Sequence, residues 1–110
     1  MKRSIVILPR AHSDLYEIGL YLSERSLETS KRFNRAVDRT LEYLLKAPES
    51  GEKRNYSNPE YANIRIWQVS GFPNHLIFYR VGDMDITVVR VLHGARDYDT
   101  IFNDETIGDT

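Results

Sequence analysis

The sequence predicts an α+β domain of order β-α-α-β-β-β, in which a hairpin of two helices lies on one face of a mainly antiparallel sheet. Three observations predict it. A short β-branched run opens the chain, two stretches with helical apolar spacing follow, and three strand-like runs joined by short connections fill the second half. Neither helical stripe can be buried by the other alone, so the strands must supply the cover.

The opening strand spans Ser4 to Leu8 and is bounded by Pro9, which cannot donate to a ladder but suits the first turn of a helix. Ala11, Leu15, Ile18 and Leu22 then recur at spacings of four, three and four, one apolar helical face. Gly19 lies inside this helix, costs about 1 kcal/mol relative to alanine, and allows a second helix to approach closely. Ser26 is the N-cap of that second helix, with Glu28 in its first turn. Phe33, Val37, Leu41, Leu44 and Leu45 form its apolar stripe, and Lys31, Arg32, Arg35, Asp38, Arg39 and Glu42 its polar side. The helix ends near Ala47, because Pro48 and Gly51 are stop signals. A polar loop from Pro48 to Tyr61 leads to strands at Asn63–Val69, His75–Val81 and Ile86–Leu92. Their links, Ser70–Asn74 and Gly82–Asp85, are short enough to make the three adjacent and antiparallel. The last fourteen residues carry no periodic pattern beyond Tyr98, Ile101 and Phe102.

A chain of 110 residues suits one domain, and one that buries roughly 65% of its unfolded surface without a metal or disulfide staple. There is no cysteine, which excludes disulfides, thiolate metal sites and a cysteine nucleophile. The apolar run Ile5–Leu8 is too short for a signal peptide or a membrane span, so a soluble cytoplasmic protein is expected. The formal net charge of −1 is a cancellation. Residues 1–96 hold 15 basic and 11 acidic side chains, whereas Asp97, Asp99, Asp104, Glu105 and Asp109 follow with no base among them. Near-neutrality therefore does not exclude an anionic partner for the body of the chain.

Each later strand carries one arginine, Arg65, Arg80 and Arg90. By alternation Arg80 shares a face with Leu76 and Phe78, and Arg90 with Ile86 and Val88. Two readings stand: internal pairing with acids such as Asp97 or Glu60, or an arginine cluster on the open sheet face that takes phosphate or an acidic partner. After the last strand, His93, Arg96 and Tyr98 fall within six residues. They supply the base, acid and cation that RNA cleavage needs. Equally, His93 fixes the turn while Arg96 and Asp97 close an ion pair. No two histidines have metal-ligand spacing, so no metal site is expected, and no phosphate loop, dinucleotide fingerprint or nucleophile elbow is present. The stretch Gly51–Tyr56 is basic and aromatic, a solvated loop or a stacking surface for nucleic acid.

The strings AHSDLYEIGLYL (Ala11–Leu22), SLETSKRF (Ser26–Phe33), APESGEKR (Ala47–Arg54), IRIWQVSGFPNHLIFYRV (Ile64–Val81) and VVRVLHGARDY (Val88–Tyr98), in this order, carry a resemblance. The chain resembles the ParE toxins of the RelE/ParE superfamily, the toxin half of plasmid-stabilising toxin–antitoxin modules, over nearly all of residues 4–98. The resemblance implies a toxin domain over 1–98 followed by an acidic tail over 99–110. It implies inhibition of DNA gyrase by trapping its cleaved-DNA complex. It also implies neutralisation by a ParD-like antitoxin of the ribbon-helix-helix type, in a hetero-oligomer. On that reading there is no catalytic residue and no cofactor. Candidate partner contacts are Arg65, Trp67, Arg80, Arg90, His93 and Arg96. The sister branch, the RelE-type toxins, cleaves mRNA in the ribosome. Were this chain such a nuclease, Arg65, Arg80, His93 and Tyr98 would be its catalytic residues. Against that stand the RVLHGARD form of the last strand and a basic loop reduced to Lys53 and Arg54. Five acids also follow the candidate site and would repel a phosphate backbone. An inactive module that only binds antitoxin is a third alternative.

Overall fold

In the computed structural model, which describes residues 3–103, the expected elements appear in the expected order, with two additions. Strand β1 (Ser4–Ile7) leads into α1 (Pro9–Ser23), which begins with proline in its first turn. Helix α2 (Leu27–Lys46) is capped by Ser26, whose hydroxyl accepts the Thr29 N–H at 3.1 Å. Strands β2 (Glu52–Arg54), β3 (Ile64–Val69), β4 (Phe72–Val81) and β5 (Asp85–His93) follow, and α3 (Tyr98–Asn103) closes the described chain. Among the described residues no helix is long and apolar enough to cross a membrane.

The five strands form one sheet of order β1-β5-β4-β3-β2. Only β1 runs parallel to its neighbour, with Ser4 opposite Asp85 and Ile7 opposite Val88; the other pairs are antiparallel. On one face α1 and α2 cover the sheet. Phe33, Val37, Leu41 and Leu44 of α2 meet Ile77, Tyr79, Ile86 and Val88 in the larger core cluster. Their burial follows the 3.6-residue period of α2 and the two-residue period of the strands. The hairpin closes where the Ser30 hydroxyl donates to the Gly19 carbonyl at 2.8 Å. A Cβ on Gly19 would lie 3.6 Å from that hydroxyl, an ordinary contact, so the approach is close but does not require glycine.

Three expectations change. The polar loop from Pro48 to Tyr61 contains β2, paired to β3 through Lys53 opposite Arg65. Just before it, a Cβ on Gly51 would fall 2.6 Å from the Tyr79 hydroxyl and 2.9 Å from the Ile66 carbonyl, so this crossing does demand glycine. The link between β3 and β4 shortens to Ser70–Gly71, with Gly71 at φ 79 in the left-handed region, and β4 starts at Phe72 rather than His75.

The opposite face is covered in part, leaving a groove beside Ile66, Gln68 and Leu76. Helix α3 lies on it and buries Phe102 completely against Tyr56, Ile64, Phe78, Val89 and Leu92. The Tyr56 hydroxyl donates to Asp99 at 2.9 Å, and Asp97 caps the helix by accepting from the Thr100 N–H and hydroxyl. Asp97 thus serves α3 rather than an ion pair with Arg96. The remaining acidic positions, Asp104, Glu105 and Asp109, lie outside the described residues.

Candidate partner-binding site

The three strand arginines do not form one cluster. Residues directly opposite in an antiparallel pair share a face. Arg65 is opposite Tyr79, which belongs to the helix-side core, so Arg65 points to the side of α2. There it donates to the carbonyls of Glu49 and Gly51, at 3.2 and 2.9 Å. Arg80 alternates with Phe78 and Leu76 onto the other face, as expected from the sequence, and donates to the main-chain carbonyl of Glu60 rather than to its carboxylate.

Arg90 departs from the expected parity. Phe78 is opposite Arg90 while Tyr79 is opposite Val88, so Val89 is an extra residue, a β-bulge. The bulge moves Arg90 off the face of Ile86 and Val88, and onto that of Phe78 and Leu92. Arg90 is 4% exposed, and its guanidinium is held by Asp14 of α1 through Nε at 2.7 Å and Nη2 at 3.0 Å. The same carboxylate accepts the Val91 N–H at 3.0 Å, continuing the ladder on β5 where β1 has ended. The hydrogen bond to Asp14 outweighs burial and raises the Arg90 pKa further, so the guanidinium keeps its charge. Neither Asp97 nor Glu60 is its partner. Arg90 is an internal strut between α1 and β5 and offers no surface to a ligand.

His93 is exposed at the end of β5, where its Nδ1 accepts the Ala95 N–H at 3.0 Å and shapes the turn. Its ring meets that of His75 edge-on at 5.1 Å. Burial, helped by the nearby His93, lowers the His75 pKa, and its Nδ1 has no hydrogen-bond partner among the described residues. Arg96 is exposed, and Tyr98 packs its ring on Phe78 at 5.2 Å. His93 is level with His75, five residues from Arg80 along β4, a separation of about 17 Å. Arg65 and Arg80 stand on opposite faces. One phosphodiester cannot reach all four nuclease candidates.

What the fold does bring together is a groove of about 380 Å³ between α2 and the β3–β4 turn. The Tyr43 and Trp67 rings stack in its wall, 5.8 Å apart and 12° from parallel. Thr40 ties the turn to the helix by accepting the Ser70 N–H at 2.9 Å while donating to Ala36. Arg39 lines the mouth, and the exposed Lys31, Arg32 and Arg35 continue a basic face along α2. Arg32 sits over the Phe72 ring at 5.5 Å, whereas Arg35 is drawn to Glu28 at 3.4 Å. Of this set the sequence singled out Trp67 as a contact. Tyr43 was missed because it stands outside the apolar stripe of α2. Its signal was the four-residue spacing from Arg39, which puts both on one outward face. An aromatic wall with a cationic mouth suits an acidic segment that also carries apolar side chains.

No match was found among curated proteins. A solved structure described as the chromosomal ParDE toxin–antitoxin system from P. aeruginosa is similar, with a TM-score of 0.65 and 17% identity, covering 84% of this chain and 96% of that one. At that identity the likeness speaks for the fold. Residues 5–98 match the family model of the ParE toxin of type II toxin–antitoxin systems, parDE, and with that match over nearly the whole domain the chain belongs to the ParE toxin family.

Proposed function

We propose that this ParE-family chain stops growth by binding DNA gyrase and stabilising its cleaved-DNA complex, and that a ParD-like antitoxin of the ribbon-helix-helix type neutralises it in a hetero-oligomer. The family match over residues 5–98 carries the reading. Its setting is the cytoplasm, where gyrase works, and its role is that of a plasmid- or chromosome-stabilising module. The protein acts by occupying a surface. The spread of Arg65, Arg80, His93 and Tyr98 over two faces and about 17 Å of strand supports binding over mRNA cleavage. The acidic–apolar segment of the antitoxin folds onto the groove of Arg39, Tyr43 and Trp67, where ordering a disordered chain is offset by stacking and charge pairing. Arg65, Arg80, His93 and Arg96 remain contacts to be tested, and Arg90 contributes through the fold.

The test is a paired assay with purified protein, gyrase and supercoiled plasmid on one side and a translating ribosome extract on the other. Linearised plasmid with intact message supports the proposal. Codon-position cuts in mRNA with normal supercoiling overturn it. Tight antitoxin binding with neither effect identifies an inactive binding module.

A further inference from the structure

We infer that the groove along the outer edge of β1 is a docking site for an extended peptide that alternates basic and apolar side chains, added to the sheet as a sixth strand. β1 uses one edge only, that facing β5. The N–H groups of Ser4 and Leu8 donate towards the β5 side, to Met84 at 3.1 Å and Val88 at 3.0 Å. By alternation Ile5 and Ile7 turn their N–H and C=O groups outward, where they find no hydrogen-bond partner among the described residues. Proteins usually cover or charge such an edge. This one opens instead into a groove of about 520 Å³ whose floor is Ile5 and Ile7 from β1 with Leu41 and Leu45 from α2.

The rim identifies the occupant. Asp38 and Glu42, one turn apart on α2, line the groove and are exposed. Like charges at this spacing weaken a helix, and neither carboxylate forms an ion pair among the described residues. A strand laid about 4.8 Å outside β1 places alternate side chains beneath these two groups. Arginine or lysine there packs its stem on Leu41 and Leu45 and brings its charge to the carboxylates. The intervening residues emerge beside Val6, which is 40% exposed, and are therefore apolar and β-branched. A second copy of this chain does not fit. Two β1 edges paired about a two-fold axis would bring both Asp38–Glu42 rims together. The acidic rim likewise separates this site from the basic groove at Trp67, which calls for the opposite charge.

The probe is an acetylated nine-residue peptide alternating valine and arginine, fluorescently labelled and titrated with the full chain. Saturable binding is expected. It should weaken at least ten-fold with Asp38→Lys plus Glu42→Lys, and to a similar extent when alternate peptide amides are N-methylated. Hydrogen exchange at Ile5 and Ile7 should slow on peptide addition, a readout that does not depend on the variants. Equal binding of a valine–glutamate peptide, indifference to charge reversal or N-methylation, unchanged exchange at Ile5 and Ile7, or a β1-linked dimer in sedimentation each overturns the proposal.

Discussion

Removing the carboxylate of Asp14 should be among the most damaging single changes available to this fold. Asp14 and Arg90 are 7% and 4% exposed, and the carboxylate holds Nε, Nη2 and the Val91 N–H together. Asp14→Ala leaves a buried guanidinium with no counter-charge, a loss of about 3–5 kcal/mol. A small domain has only about 5–15 kcal/mol in total. At about 4–8 °C per kcal/mol, the Tm should fall by at least about 12 °C. The double variant Asp14→Leu with Arg90→Met replaces the pair by apolar side chains of comparable size, and such exchanges are often neutral. It leaves the Val91 N–H unpaired, at about 1–3 kcal/mol, so it should be the more stable of the two. Urea unfolding followed by the fluorescence of Trp67, the only tryptophan, measures both. A loss below about 1 kcal/mol for Asp14→Ala, or a double variant no better than the single one, would refute the assignment of this pair as the strut between α1 and β5.

Phe102→Ala should cost about 3–5 kcal/mol, because the ring is completely buried against Phe78 and Tyr61; proteolysis should then cut near α3 first. Gly19→Ala should stabilise by about 0.5–1 kcal/mol, since the added methyl meets only ordinary contact, and a higher urea midpoint would show it. His75 should make the protein less stable in mild acid. Burial lowers its pKa in the folded state, with the charge of His93 acting the same way. The unfolded chain then binds more protons below the ordinary histidine value of about 6.5, and stability falls as pH drops through that window. A Tm lower at pH 5.5 than at 7.5, with the gap narrowed in His75→Phe, is the expected result.

The sequence carries the plan of the fold where periodicity is strong. The α1 and α2 stripes, the Ser26 cap and the strand centres are all where apolar spacing and stop signals put them. What it hides has specific causes. β2 is three polar or charged residues, Glu52–Arg54, with no apolar alternation to announce a strand. α3 is a helix of six residues whose signal was only the spacing of Tyr98, Ile101 and Phe102. The bulge at Val89 depends on how β4 and β5 pair, so alternation along β5 alone misplaces Arg90. Its partner, Asp14, is 76 positions away in an otherwise amphipathic helix, where one acid among several polar residues gives no hint of burial. The candidate site follows the same pattern. Trp67 stands out by its side chain, whereas Tyr43 and Arg39 join it only once α2 crosses the β3–β4 turn.

The proposal of gyrase poisoning rests on one physical event, the trapping of gyrase on cut DNA. It is measured by incubating gyrase, supercoiled plasmid and increasing amounts of this protein, then denaturing and digesting the gyrase and counting linear molecules. Linear plasmid rising with dose and suppressed by the cognate antitoxin is the predicted result. Plasmid that stays intact and normally supercoiled while the same preparation cuts ribosome-bound message would contradict it.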